Sequence, residues 1–85
     1  MAKGRRPGSE VRERIIQLLR EKGAMHGYQI YKEYIKKYGP VTLRLIYYHL
    51  KKGIDLGEIG ISHVSEEEGP YSWGPRARKV YYKAL

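Results

Sequence analysis

The side chains best suited to binding chemistry lie in the stretch VTLRLIYYHLKKGIDLGEI, residues 41–59. Cations and phenols recur there at short intervals, and no acidic residue precedes Asp55. Guanidinium and ammonium groups suit phosphates, and flat phenolic donors suit sugars and base edges. The pattern therefore predicts contact with a polyanion. The candidate residues in this stretch are Thr42, Arg44, Tyr47, Tyr48, Lys51 and Lys52.

Alternatives exist for these residues. Thr42 is a good N-cap, because its hydroxyl can accept a hydrogen bond from a first-turn N–H, and we expect it to act both as cap and as phosphate ligand. For Tyr47 the alternative is an inward orientation toward the core. For the group as a whole the alternative is an ordinary solvated helix face.

Catalytic and metal-binding patterns are not indicated. His26, His49 and His63 fall on a turn, a helix and a strand with no carboxylate at ligand-like spacing, so we expect structural roles for them. The chain has no cysteine, and it lacks a Ser-His-Asp order, a phosphate-cradling glycine loop and a zinc signature. We therefore predict that the protein is not an enzyme and uses no metal and no cofactor.

The helix that must position the candidate contacts is predicted over residues 42–56. Gly53 allows two ends: the helix stops there, or it tolerates the glycine at a cost of about 1 kcal/mol relative to Ala and stops at Gly57. We favour the longer helix, which requires another side chain to pack closely against Gly53. The predicted apolar face consists of Leu43, Ile46 and Leu50.

Two further helices precede this one. The first is predicted to begin at Ser9 as N-cap and to stop at Gly23, and the second covers residues 28–38. A turn as short as the one after residue 38 predicts a helix-turn-helix arrangement. The apolar faces are predicted to be Val11, Ile15, Leu18 and Leu19 in the first helix, and Ile30, Tyr31, Tyr34 and Ile35 in the second.

Two strands are predicted after Gly57. Residues 59–64 and 77–84 alternate with period two, and residues 65–75, rich in Gly, Pro and acid, predict a long hairpin loop. Wing contact with phosphates would come from Arg76, Arg78 and Lys79. The alternative is that these cations pair across the hairpin with the acids at 66–68, each pair contributing little at the surface. Trp73 is expected to pin the loop, with base stacking as its alternative.

The order of elements predicts an α+β fold, a winged helix-turn-helix with three helices and a two- to three-stranded β-wing. Residues 9–85 form this one domain, and residues 1–8 form a flexible basic arm, which either enters a groove or is a solvated tail. A net charge of +8 over 85 residues favours an anionic partner. No apolar run approaches the roughly 20 residues of a membrane span, and no signal-peptide core is seen, so we expect no membrane association and a cytoplasmic location.

Four segments resemble PadR-like winged-helix regulators, and the second also resembles ArsR-like regulators. They are MHGYQI at 25–30, IYYHLKKGIDLGEI at 46–59, EEEGP at 66–70 and RKVYYKAL at 78–85. The resemblance implies a DNA-binding domain with residues 42–52 in the major groove and the hairpin at the flanking backbone or minor groove. Gly53 departs from the large aliphatic residue usual there. The family's C-terminal helices, which dimerise and help form an effector pocket, have no counterpart up to Leu85, so we expect no small-molecule effector and a monomer or weak dimer.

The leading hypothesis from the sequence is thus a double-stranded DNA-binding domain of a transcription regulator. An architectural or RNA-binding winged helix is the first alternative. A winged helix that serves as a protein-interaction module is the second, and the basic, phenolic face of the residue 42–56 helix argues against it.

Overall fold

In the part of the chain that the structure describes, the fold is α+β, with three helices and a three-stranded antiparallel sheet. The computed structural model describes residues 7–71 and 74–85, with side chains for 10–66 and 78–85. This confirms the predicted class and the number of helices. The elements are α1 (Pro7–Lys22), β1 (Met25–His26), α2 (Gly27–Tyr38), α3 (Leu43–Asp55), β2 (Ile59–Tyr71) and β3 (Gly74–Ala84).

The sheet joins the start of α2 to the end of the chain. Its strand order is β1-β3-β2, so the short β1 lies beside β3 rather than beside β2. Met25 is opposite Tyr82 on one side of β3, and Ile59 is opposite Ala84 on the other. β1 is only two residues long, so it covers only a short part of the β3 edge. Other groups can approach the rest of that edge.

The core lies between the three helices and the base of the sheet. Fully burying a Leu or Ile side chain contributes roughly 1.5–3 kcal/mol, so these contacts hold the helices in place. The apolar faces predicted for α1 and α3 supply most of the core. Ile35, predicted to lie on the apolar face of α2, is exposed. The buried apolar residues are Ile15, Leu18, Leu19, Met25, Ile30, Tyr34, Ile46, Leu50 and Ile59.

The first two helices begin earlier than predicted. α1 begins at Pro7, so Ser9 is the third helical residue and not the N-cap. The proline fits the first turn, where its missing N–H has no intrahelical partner to lose. α2 begins at Gly27 because His26 caps it: the Gln29 N–H donates to His26 Nδ1 (3.3 Å), and the His26 N–H donates to Gln29 Oε1 (3.4 Å). Residues 1–6 of the predicted arm lie outside the described residues.

α3 continues past Gly53, as predicted. It ends at Asp55 with Leu56 as C-cap, and Gly57 then turns the chain with a φ of 76°. Gly53 is buried, and a Cβ built on it would lie 2.5 Å from Ile59 Cδ1. The glycine therefore lets the start of β2 pack directly on the last turns of α3.

The predicted long loop at residues 65–75 is wrong. The β2–β3 pairing continues through Glu66 opposite Arg78 and Glu68 opposite Arg76 as far as Tyr71 opposite Gly74. Glu66 and Arg78 carry opposite charges, and such a cross-strand pair favours the pairing modestly. Pro70 falls within a register shift between Glu68 and Tyr71, a place where a strand tolerates proline. Trp73, for which a pinning role was predicted, lies outside the described residues.

Several large aliphatic side chains remain on the surface. Such side chains suit an interface, so they give no support to the expectation of a monomer or weak dimer. The oligomeric state itself stays a prediction. The exposed aliphatic residues include Ile54, Leu56, Ile61, Val64 and Leu85.

Candidate nucleic-acid interface

The outward face of α3 carries most of the candidate residues. Thr42 is its N-cap, and the threonine hydroxyl accepts a hydrogen bond from the Leu45 N–H at 3.1 Å. Tyr48 is 57% exposed, and its ring centre lies 4.9 Å from that of the neighbouring His49 ring in an edge-to-face arrangement. Arg44, Lys51 and Lys52 are also exposed. Since Ile46 and Leu50 face the core, the fold fixes which side of α3 is presented to solvent.

The cations of the other two helices are largely engaged by carboxylates. Lys37 bonds Glu21 at 2.7 Å, which raises the pKa of the lysine and lowers that of the glutamate. Arg14 bonds Glu10 at 3.0 Å and Arg12 bonds Glu58 at 3.0 Å. Two further pairs on these helices join Lys22 to Glu33 and Lys36 to Glu33.

The cations of α3 differ from these. Among the described side chains, Arg44, Lys51 and Lys52 make no ion pair and no hydrogen bond. Three uncompensated charges on one exposed helix produce a local positive field. The net positive charge of the chain is thus placed unevenly, with the carboxylates concentrated against α1 and α2.

Tyr47 points away from that outward strip. Its ring lies against Gly27, the first residue of α2, closely enough that a Cβ at position 27 would overlap Cε1, Cζ and the hydroxyl. The side chain is nevertheless 44% exposed. The predicted inward alternative is therefore partly right: Tyr47 packs on a neighbouring helix and keeps one side open.

Tyr47 forms one wall of a groove between α2, α3 and β3. The groove has a volume of about 360 Å³. We call it the α2–β3 groove. Burial, and to a smaller degree Tyr47, raises the pKa of Tyr82, so the Tyr82 hydroxyl keeps its proton and can donate. The groove is lined by His26, Gly27, Tyr28, Tyr47, Arg78, Lys79, Val80 and Tyr82.

Two of the three hairpin candidates, Arg78 and Lys79, line the α2–β3 groove. The Arg78 side chain is 71% exposed and lies 3.8 Å from a Glu66 carboxylate oxygen, as the cross-hairpin alternative predicted. A pair this long and this exposed contributes little. Lys79 lines the same groove. The Arg76 side chain lies outside the described side chains, although its backbone pairs with Glu68 in the hairpin.

The structure thus separates the predicted site residues into two groups. Tyr47, Arg78 and Lys79 meet in the α2–β3 groove, and Arg44, Tyr48, Lys51 and Lys52 form the outward strip of α3. Sequence reasoning missed Tyr28, which is half exposed, lines the groove and has Lys32 Nζ 5.7 Å from its ring centre. Its only signal was a tyrosine directly after the glycine that begins α2.

The three histidines have structural surroundings. His26 caps α2, and His63 stacks on Tyr81 with ring centres 4.4 Å apart. His49 is only 2% exposed. No group of three or more possible metal ligands occurs among the described residues.

The buried His49 belongs to a partly buried cluster that sequence reasoning did not identify. Arg12 Nη1 lies 3.4 Å from His49 Nδ1, and Arg12 Nε donates to Glu58 at 3.0 Å. Because arginine only donates, Nδ1 must accept, which places the imidazole proton on Nε2. Nε2 has no hydrogen-bond partner within the described structure. Burial lowers the pKa of His49, and the positive charge of Arg12 lowers it further.

In the described part of the chain, no helix is both long enough and apolar enough to cross a membrane. Comparison with known proteins gives no significant match to a family model, a curated protein or a solved structure. The resemblance to PadR-like regulators therefore stays a prediction from the sequence.

Proposed function

We propose that this chain is a double-stranded DNA-binding domain of the winged helix-turn-helix type, acting in transcription regulation. In this proposal α3 is the recognition helix in the major groove, and the β2–β3 hairpin is the wing on the flanking backbone. The observation that supports it most directly is the uneven pairing of cations. Arg44, Lys51 and Lys52 on α3 have no carboxylate partner among the described residues, whereas most cations of α1 and α2 have one.

Uneven pairing matters energetically because a phosphate must compete with any carboxylate already bound to a cation. Lys37 would have to give up a 2.7 Å contact with Glu21 before it met DNA. Arg44 and Lys51 give up only water and mobile ions. Neutralising phosphates with such groups releases counterions, which supplies most of the sequence-independent affinity.

The residues of α3 are assigned different roles. Arg44 and Tyr48 are one turn apart on the exposed strip, so they are the candidates for base edges. Lys51 and Lys52, nearer the end of the helix, are assigned to phosphates, as are Arg76, Arg78 and Lys79 of the wing. Thr42 is assigned to a phosphate beside its capping role, which the structure already fills with the Leu45 N–H.

A protein-interaction module is the second candidate, and one specific observation favours it. Leu56 is 52% exposed and Leu85 is 63% exposed, which is more aliphatic surface than DNA contact explains. These residues lie outside the outward strip of α3, so the two functions use different surfaces and can be tested separately.

The decisive experiment is competition binding with duplex DNA, single-stranded DNA and duplex RNA, followed by a salt titration on the duplex. If Lys51, Lys52, Arg76, Arg78 and Lys79 each neutralise one phosphate, log K should fall with log salt at a slope of about −4.5. Preference for duplex RNA would support the architectural or RNA-binding alternative. No binding to any of the three at low salt would overturn the nucleic-acid proposal.

A matched pair of triple variants tests the placement on α3. Arg44→Gln, Lys51→Gln and Lys52→Gln together remove three charges from α3. We expect the salt slope to become shallower by about 1.8, because Lys51 and Lys52 are the two assigned to phosphates. Arg20→Gln, Lys22→Gln and Lys36→Gln together remove the same charge from α1 and α2. Equal losses of affinity in the two triple variants would mean that binding depends on net charge alone and not on α3.

A further inference from the structure

The α2–β3 groove combines features that a purely electrostatic surface would not need. Tyr28, Tyr47 and Tyr82 bring aromatic rings to it, Gly27 and Val80 complete its apolar lining, and Arg78 and Lys79 add positive charge. Its volume of about 360 Å³ is at the small end of ligand-binding clefts, which start at roughly 300 Å³. It therefore fits one small group that is apolar on one side and anionic on the other.

We propose that this groove binds one sugar–phosphate unit of the DNA backbone, with the deoxyribose against the tyrosine rings and the phosphate on Arg78. The inference rests on the proposed function and deepens it. It changes the role of Tyr47 from a reader of bases to part of a backbone clamp, and it adds Tyr28 to the interface.

Arg78 lines the groove, and its present contact with a carboxylate is too long and too exposed to compete strongly with a phosphate. Its guanidinium is 3.8 Å from Glu66 Oε2, and both side chains are largely exposed. A phosphate offers more acceptor oxygens in a geometry that matches the guanidinium fork, so it can replace the carboxylate. Arg78 alternates with Val80 and Tyr82 along β3, which places it on their face of the sheet.

The tyrosines are suited to the sugar. A deoxyribose ring presents C–H groups that pack on an aromatic face, while phenolic hydroxyls donate to ester or phosphate oxygens. Tyr47 is held by Gly27, and Tyr28 directly follows Gly27 in the first turn of α2. The contact between α2 and α3 therefore sets the spacing of the two tyrosines. The groove also borders α3, so a phosphate held there would fix the position of the recognition helix along the duplex.

The test locates that phosphate with chemically neutral backbones. A duplex that binds the protein is prepared with one methylphosphonate at a time, and we expect one position to weaken binding by about tenfold. Arg78→Gln removes the guanidinium proposed to bind that phosphate, and Tyr28→Phe removes the hydroxyl proposed to donate to it. In both variants, neutralising that same position should have much less effect. A smaller methylphosphonate effect in Arg78→Gln would be expected for any contact between the wing and a phosphate. A smaller effect in Tyr28→Phe as well is what identifies the groove.

Two controls match these variants. Lys83→Gln removes a cation from β3 away from the groove, and Tyr48→Phe removes a phenolic hydroxyl from the outward strip of α3. Both should leave the effect of that methylphosphonate position unchanged. Melting curves of all four variants should be similar, since each change is at the surface.

The outcomes separate this inference from the proposed function. If the duplex binds but no methylphosphonate position is coupled to Tyr28, the groove assignment is overturned and the DNA-binding function stands. A second measurement uses deoxyribose 5-phosphate and follows the amide signals of Gly27 and Tyr28 by NMR. Shifts there without duplex binding would overturn the DNA function while supporting the chemistry of the groove. Neither shifts nor duplex binding would overturn both.

Discussion

The ring of Tyr47 on α3 rests on the backbone of Gly27 at the first position of α2. A side chain at position 27 would overlap the end of the ring, so the glycine allows the close approach. Gly27 is buried while Tyr47 keeps nearly half its surface open. The contact therefore fixes the phenol beside the α2–β3 groove without removing it from solvent.

The first prediction follows from that contact. Gly27→Ala should lower the free energy of unfolding by about 1 kcal/mol, the low end of overpacking, because the overlapping atoms are the far end of a partly exposed side chain that can rotate. In a Tyr47→Ala background the same change should be neutral or slightly stabilising, since alanine is the better helix former. Urea unfolding of the four proteins measures this, and equal losses in both backgrounds would contradict the contact.

The helices could be predicted because their apolar residues recur at helical spacing and each segment has a stop. Ile46 and Leu50 show this for α3, and the extension past Gly53 depended on a partner that proved to be Ile59. The hairpin length could not be predicted locally. Its acidic and Gly-Pro composition indicates a loop, and only pairing with the basic β3 makes it a strand.

The candidate site was predictable to a similar extent. Residues such as Arg44 and Tyr48 project from one strip by helical geometry alone, so the sequence places them. The groove depends on β3 reaching the start of α2, which is a tertiary contact that no local pattern contains. Tyr28 and the buried His49 were missed for the same reason: their importance comes from neighbours distant in the chain.

A second prediction concerns the Glu66–Arg78 pair. Glu66→Gln should strengthen duplex binding by up to about 1 kcal/mol, because the carboxylate competes with phosphate for Arg78 and repels the backbone. The pair with Arg78 itself contributes little to stability, since it is long and exposed. Anisotropy titrations at low and high salt check this, with Glu13→Gln on α1 as a control for loss of negative charge. Weaker binding by Glu66→Gln would show that the acid orients the guanidinium instead of competing for it.

A third prediction uses the buried His49. The pKa of His49 is lowered by burial first and by Arg12 second, so the unfolded chain takes up its proton at a higher pH than the folded one. Unfolding then gains protons as pH falls below about 6.5, and stability decreases. Protonation would also turn His49 Nδ1 from an acceptor into a donor that faces the Arg12 guanidinium, which itself only donates. Arg12 is already bound to Glu58 through Nε.

Urea unfolding at about pH 7 and about pH 5.5 tests this. The wild type should lose more stability between these values than His49→Gln. His63→Gln, which changes an exposed histidine on β2, should lose as much as the wild type. If His49→Gln keeps the full pH dependence, then another group, such as the His26 cap, is responsible.

The last prediction separates reading from folding on α3. Arg44→Ala and Tyr48→Ala should each leave the melting temperature nearly unchanged, because both side chains are exposed and neither belongs to the core. If they contact base edges, each should cost about 1–3 kcal/mol on a preferred duplex selected from a random pool, and less on a scrambled one. Arg78→Ala should weaken both duplexes about equally, because a phosphate contact carries no sequence information. Equal losses on both duplexes for Arg44→Ala and Tyr48→Ala would make α3 a clamp on the backbone instead of a reader of sequence.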